Sequence, residues 1–424
     1  MIHTSLGPFG RHKLLVNHLE KIHVTSDCNT ILRELEVEHP AAKLLKMAAT
    51  MQDEECGDAT NLVVSFAGEL LRQTLDLMKM GLHTSEVIAG YQIASEKIQE
   101  LLPTLVCKQV SVQTASDEEL SQVLTPVLAS KHYGSHEVLA PLILQACKVV
   151  MSPSYRVAPE AVRVVKLLGS SVSASTMIPG YVAQRGVESN VTSIEETCKV
   201  CVFACGIEAS STEAKGTVLM KTAQDLKGYN ISEETKMEEM IQGIAESGVK
   251  VLVTGGVVSE MALHFIDRYK LMCLKIGSKW ELRRLCQATG ATALVRLGAP
   301  TPDEMGVATS VKVQQVGGKT LTVLKTPDSK LATLVLRAST SSVLQDLERA
   351  VDDGVHAFEQ LCRDGRVVPG AGATEMALSL KLHQLADVSP GLDQYAIRAF
   401  AKALEIIPRT LADTAGFDAT QKGG

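Results

Sequence analysis

The stretch Gly57-Asp58-Ala59-Thr60-Asn61 sets a carboxylate, a hydroxyl and an amide just ahead of an apolar helical run beginning at Leu62. A helix start offers unpaired N–H groups and the positive end of the backbone dipole, which suits phosphate. Asp58 could hold Mg2+ at such a point, and the Thr60 hydroxyl could reach a phosphate oxygen. Spacing alone favours the plainer task, in which Asp58 or Thr60 caps the helix. A second acid, Asp353, stands beside Asp352 in the middle of another helical run and is followed by Gly354. Leu347, Val351, Val355 and Phe358 mark the apolar face of that run. Glycine inside a helix costs ~1 kcal/mol relative to alanine, so close approach by another group would explain it. Two solvated acids on an ordinary helix remain the other reading of the pair.

Two further glycine-rich turns are Leu6-Gly7-Pro8-Phe9-Gly10 and Gly370-Ala371-Gly372, the latter following Pro369 and preceding a helix. Neither matches GxxxxGK(S/T), so a P-loop enzyme such as a metabolic kinase is not indicated. Cys198, Cys201 and Cys205 have a spacing that zinc could use. However, Val200 to Phe203 reads as a buried strand, on which Cys201 and Cys205 share a face and Cys198 points away. Small buried thiols fit better than a metal site. His132 and His136 have i,i+4 spacing, but Gly134 lies between them and no acid completes a site, which favours surface histidines.

The elements around these residues are mostly helical. Leu14 to Val16 and Ile22 to Thr25 predict a β-hairpin. Helices are expected around Ile31 to Leu35, Ala41 to Met51, from Asn61 through Leu71, and from Ser85 to Leu102. Residues 106–172 read as helical with a break at Ser152-Pro153. Then Val200 to Phe203, Val249 to Val253 and Met272 to Leu274 alternate with helical stretches at Thr235 to Ser247 and Glu260 to Tyr269, an α/β pattern. Ala332 to Arg337 is a predicted strand, Val343 to Cys362 a long helix, and Thr374 to Ala415 helical again. With 424 residues and 45% hydrophobic content, this is an α/β protein of several domains. Net charge is -6 without a basic block, so nucleic acid is not an expected partner. No apolar run is long enough for a membrane span, and no signal peptide opens the chain, which makes a cytosolic location the default.

Six segments, in order and at long separations, together resemble the group II chaperonin family. They are Leu6 to Gly10 (a GPxG turn), Ser26 to Leu32 (a DGATIL-like segment), Gly57 to Asn61 (a GDGT loop), Thr125 to Lys131 (ending Ser130-Lys131), Glu348 to Gly354 (an ERxxxDA-like helix) and Val368 to Ala373 (a VPGGGA loop). Longer stretches, such as Leu35 to Lys43 and Ser278 to Leu285, resemble one subunit type of the eukaryotic cytosolic chaperonin. The resemblance implies a chaperonin fold of three nested domains. A helical equatorial domain would span 1–105 and 367–424, an intermediate hinge domain 106–172 and 333–366, and an α/β apical domain 173–332. It implies an ATP-dependent chaperone that folds cytosolic proteins of the actin and tubulin class. The chain would work in a hetero-oligomeric double ring with paralogous subunits. A chaperonin-like scaffold without hydrolysis is the alternative.

On this resemblance ATP and Mg2+ would be bound by Leu6, Gly7, Pro8, Asp58, Ala59, Thr60, Asn61, Leu62, Ser130, Lys131, Gly370, Ala371 and Gly372. Asp58 would be the metal ligand. Asp353 would orient or deprotonate the attacking water, Asp27 would assist near the terminal phosphate, and Lys131 would sense it. The helical stretch 222–247 would form a protruding lid that helps contact clients. Four departures from the family pattern bear on the nucleotide site: Ala59 and Ala371 for glycines, Cys28-Asn29 for Gly-Ala, and Phe9 for a polar residue. If position 59 needs positive φ, alanine there costs roughly 1–2 kcal/mol. Against the family pattern the chain is also short at both ends, as a fragment, a truncated product or a degenerate form would be. An incomplete equatorial core with exposed apolar surface is therefore expected.

Overall fold

The computed structural model describes residues 1–17, 20–153, 155–208, 223–327 and 331–418. From the start, the chain forms a hairpin, β1 (Lys13–Val16) and β2 (Ile22–Thr25), then α1 (Cys28–Glu34), α2 (Pro40–Cys56), α3 (Thr60–Lys79) and α4 (Thr84–Leu101). Next come β3 (Lys108–Gln109), α5 (Asp117–Lys131) and α6 (His136–Val150). The strand-rich stretch comprises β4 (Val162–Leu168), β5 (Thr176–Pro179), β6 (Tyr181–Ala183), β7 (Ser193–Ile194), β8 (Cys198–Phe203), α7 (Ala223–Glu246), β9 (Val249–Thr254) and α8 (Glu260–Arg268). It continues with β10 (Met272–Lys275), α9 (Lys279–Thr289), β11 (Ala293–Leu294), β12 (Gly306–Ala308), β13 (Ser310–Val316), β14 (Lys319–Lys325) and β15 (Ala332–Ala338). The chain then returns to helices: α10 (Ser341–Arg363), the short β16 (Arg366–Val367), α11 (Ala373–Val388), α12 (Asp393–Leu404) and α13 (Ile406–Thr414).

Two compact units result. One gathers residues 1–144, 152–159 and 338–424; the other holds 145–151 and 160–337. In the second, β10, β9, β8 and β11 form a parallel sheet, with β12 antiparallel to β8. Its strands alternate residue by residue between two cores. Cys198, Val200, Val202, Val251, Val253 and Leu274 face α9 and the sheet of β6, β13 and β14. Cys201, Phe203, Leu252 and Cys273 face Met237, Ile241 and Ile244 of α7 and Phe265 and Ile266 of α8. Cys198 and Cys201 therefore point into opposite cores, and Cys205 packs at the margin of the second. Burial raises the Cys201 thiol to about 12, which keeps it protonated.

The helical expectation for 106–172 is corrected here. Val162–Leu168 is a strand, β4, paired with β15 in a sheet that also holds β5. Val165 and Leu167 are buried while Lys166 between them is not, a period of two that a short window confuses with a helix. The lid stretch expected over 222–247 begins outside the described residues, and the helix there is α7. His132 ends α5 in an extended conformation and His136 opens α6, so the pair shares no helix face.

The first unit is built on helix packing. Phe400 of α12 meets Phe66 of α3 and Tyr91 of α4 edge-on, with ring centroids 5.5 Å apart in each case. Leu378, Leu382 and Ala386 of α11 close this core. Helix α3 is unusual, for it buries Glu69 and Gln73 while exposing Leu71, Leu75 and Met78. The buried carboxylate is satisfied by Arg72 and by the Gln73 amide at 2.7 Å. Leu44, Met47 and Met51 of α2 are likewise exposed.

Helix α10 positions the rest. Its buried stripe runs Leu344, Leu347, Val351, Gly354, Val355, Phe358 and Leu361, against Leu120, Leu124 and Leu128 of α5. A β-carbon at Gly354 would fall 2.9 Å from Ile143 Cδ1 and 3.1 Å from Leu128 Cδ2. Close approach of α5 and α6 is thus what this mid-helix glycine permits. Replacing Gly354 with Val should destabilise this unit by about 1–3 kcal/mol through overpacking, read as a lower urea midpoint. An unchanged midpoint would show that α5 and α6 can retreat freely.

Candidate functional site

The first glycine turn, the α2–α3 loop, the last turns of α5 and the Gly370–Gly372 loop converge on one cleft of about 510 Å³. All thirteen residues expected to bind nucleotide line it: Leu6, Gly7, Pro8, Asp58, Ala59, Thr60, Asn61, Leu62, Ser130, Lys131, Gly370, Ala371 and Gly372. Cys28, Ser26, Glu375, Ile407 and Leu411 join them. Ser26 and Cys28 belong to the Ser26 to Leu32 segment singled out above, whereas sequence reasoning missed Glu375, Ile407 and Leu411, which carry no motif: Glu375 lies in the first turn of α11 and the two apolar residues on α13.

Each segment has a local reason for its shape. Asp27 caps α1: its Oδ2 accepts from the Thr30 amide at 2.9 Å and the Thr30 hydroxyl at 2.7 Å. Thr25, fully buried, accepts from the Asp27 amide and from Arg349 of α10. Asn61 donates to the Ser5 hydroxyl at 2.9 Å and so ties the first glycine turn to α3. The capping alternative for the α2–α3 loop does not hold. The N-cap of α3 is Ala59, in the left-handed region at φ 65°, and no side chain caps the helix. Its first amides remain open toward the cleft, as phosphate requires. Helix α11 repeats the arrangement, with Gly372 as an N-cap that has no side-chain bond, preceded by Ala371 at φ 57°. Both family glycines replaced by alanine therefore sit where alanine is strained.

The electrostatic centre is Lys131. Its Nζ lies 2.7 Å from Asp353 Oδ2, 3.3 Å from Asp27 Oδ1 and 3.9 Å from Asp58 Oδ1. The contact with Asp353 is an ion pair without the alignment of a hydrogen bond, and no other described donor reaches that buried oxygen. Asp352, the neighbouring acid, is exposed, so the two are not equivalent solvated groups. Burial pushes the Asp353 carboxyl up to about 7; Lys131 pulls it down, while Asp58 and Asp27 raise it further. Burial also opposes the ammonium, yet the three carboxylates outweigh it and hold Lys131 above the ordinary lysine value. Asp27 stays below the usual carboxylate range, because Lys131 and Thr30 overcome its own burial. Burial raises the Cys28 thiol to about 12.

One ammonium against three carboxylates leaves negative charge in excess beside two open helix starts. That surplus of negative charge suits a hard divalent cation, and the open amides suit the phosphates it would accompany. Asp27 and Asp353 do not line the cleft themselves; they reach it through Lys131.

Known proteins match along the whole chain. The model of the TCP-1/cpn60 chaperonin family fits residues 1–422. The T-complex protein 1 subunit theta of Homo sapiens is 46% identical over 421 residues, 99% of this chain and 76% of the relative. The theta subunit of Arabidopsis thaliana is 45% identical over 422 residues, 99% of this chain and 77% of its own length. That of Dictyostelium discoideum is 44% identical, covering 99% and 78%.

Removing the ammonium alone strands three acids. Lys131→Met should cost about 3–5 kcal/mol at pH 8, measured by urea denaturation. The cost should shrink toward pH 5.5. Asp353 has a folded pKa above its unfolded value, so the folded state holds the extra proton in that window and protonation relieves the unpaired charge. A cost that does not depend on pH would show that Asp353 is not coupled to Lys131. Separately, Ala59→Gly and Ala371→Gly should each raise stability by about 1 kcal/mol or somewhat less, since glycine relieves the left-handed strain but loses more chain entropy. Unchanged thermal midpoints would mean the loops relax without cost.

Proposed function

The chain belongs to the TCP-1/cpn60 chaperonin family, and from that footing we propose that it is an ATP-hydrolysing subunit whose nucleotide occupies the cleft around Lys131. The observation that carries this reading is the buried Asp353–Lys131 pair beside Asp58 and the open start of α3.

Phosphoryl transfer asks for position and charge more than covalent chemistry. The amides at the starts of α3 and α11 bind phosphate oxygens, with the Thr60 hydroxyl beside them. Asp58 is the residue that would hold Mg2+, which when bound neutralises charge on those oxygens. Asp353 orients the attacking water and takes its proton at a carboxylate oxygen; a base with a pKa near 7 is matched to that task. Asp27 adds negative charge near the terminal phosphate and steadies Lys131, which contacts that phosphate. The carboxylates Asp58 and Asp353 speak against a scaffold that has given up hydrolysis.

By the family's plan the chain then divides into an equatorial part (1–105 and 367–424), an intermediate part (106–172 and 333–366) and an apical domain, 173–332. Asp27 and Asp58 belong to the first part, Lys131 and Asp353 to the second. The ion cluster is thus the joint through which nucleotide state moves the rest of the chain. The curated relatives are named as subunits, and by that analogy the chain works with paralogous subunits in a cytosolic hetero-oligomeric double ring. Unfolded proteins of the actin and tubulin class are its clients.

Asp353→Asn in the ring-assembled protein should reduce ATP turnover at least 100-fold while leaving nucleotide binding within a few fold. In the unaltered protein kcat/KM should rise about tenfold per pH unit below about 7 and level off above it, because only the deprotonated carboxyl accepts a proton. Turnover that survives the substitution would sink the reading.

A further inference from the structure

Helix α10 addresses the α2–α3 loop with more than Asp353. Asp353, His356 and Gln360 stand at i, i+3 and i+7, one face of the helix. The His356 Nδ1 lies 2.8 Å from the Asp352 carbonyl and donates to it, which fixes the ring. His356 packs directly against Gly57. A β-carbon at Gly57 would fall 2.2 Å from His356 Cγ and 2.4 Å from its Cβ, and Gly57 itself is left-handed at φ 72°. One turn further on, Gln360 Nε2 donates to the Glu55 carbonyl at 2.8 Å. That carbonyl is among the last of α2 and has no later turn of its own helix to bond it. From the other side Gln52 of α2 donates to the Asp58 carbonyl at 3.0 Å. The loop bearing Asp58, with left-handed residues on either side of it at Gly57 and Ala59, is therefore held between its own helix and α10.

We propose that His356 and Gln360 are positioning residues for hydrolysis: they clamp the Gly57–Thr60 loop to α10, so that Asp58 and Asp353 keep one register about Lys131. This rests on the ATPase reading. Neither residue lines the cleft, so neither touches the nucleotide. Their effect falls on the distance between a residue of the loop and a residue of α10. Loss of the clamp therefore lowers kcat and leaves ground-state binding alone.

The test compares two replacements of Gln360 in the full chain, assembled as it is isolated. Gln360→Glu keeps the shape but cannot donate to the Glu55 carbonyl; Gln360→Lys can. The expected result is a five- to tenfold lower kcat for Gln360→Glu, affinity for a fluorescent ATP analogue within twofold, and recovery of most of the rate in Gln360→Lys. His356→Ala should move kcat in the same direction. Hydrogen exchange at the amides of residues 57–62 should quicken severalfold in Gln360→Glu and not in Gln360→Lys. Unchanged kcat and unchanged exchange in Gln360→Glu overturn the proposal, as does an equal loss in both variants. If the unaltered chain turns over no ATP while exchange still quickens in Gln360→Glu, the clamp stands and the hydrolysis reading falls.

Discussion

One buried ammonium organises the helical unit. Lys131 arrives on the last turn of α5 and meets acids from α1, from the α2–α3 loop and from α10. Asp353 and Asp27, the two shielded acids, would be costly in place without it, since an unpaired charge away from water costs several kcal/mol. The apolar packing of α5 on α10, through Leu124, Leu128, Val351 and Gly354, brings the lysine to within 2.7 Å of Asp353. Hydrophobic burial thus supplies the placement, and the ion cluster supplies the specificity. The same low-dielectric setting that strengthens the pair also lifts Asp353 toward neutrality of charge near pH 7.

Strain accompanies this arrangement at the two loops beside it. Ala59 and Ala371 hold left-handed backbone that a β-carbon disfavours, and both immediately precede open helix starts. Strain of this kind persists when the surroundings over-determine it. Here they do: Gln52 and Gln360 grip the first loop from two sides, and Thr374 returns a 2.6 Å bond to the Pro369 carbonyl across the second.

Much of this was readable beforehand, and the failures have physical causes. Helices α2, α3, α4 and α10 announce themselves because each is long and carries an apolar stripe of helical period. The strands β8, β9 and β10 were visible as short runs rich in valine and leucine. Strand β4 was not, since Val162 to Leu168 mixes charges into an apolar run too short to distinguish two periods. The glycine loops could be found from order and spacing alone. Which of Asp352 and Asp353 mattered could not, as adjacent residues differ by about 100° around a helix and only the packing of α10 says which one faces inward. The link of Asp353 to Lys131, 222 positions apart in the chain, leaves no local trace. The exposure of Leu71 beside the burial of Glu69 was likewise invisible, because it reverses the pattern that periodicity assumes.

The cleft draws on both halves of an interrupted unit, from Ser5 to Leu411, with the strand-rich unit of residues 160–337 inserted between them. During synthesis the inserted unit is almost wholly one run of sequence and can fold as soon as it emerges. The helices before it must wait for α10, α11 and α13. At roughly 5–20 residues per second that wait lasts tens of seconds. Through that interval the nascent chain carries Asp27, Asp58 and Lys131 without Asp353, and two helix starts never face each other. The cleft is therefore a property of both halves together, and it takes shape only once the segments before and after the insertion have met.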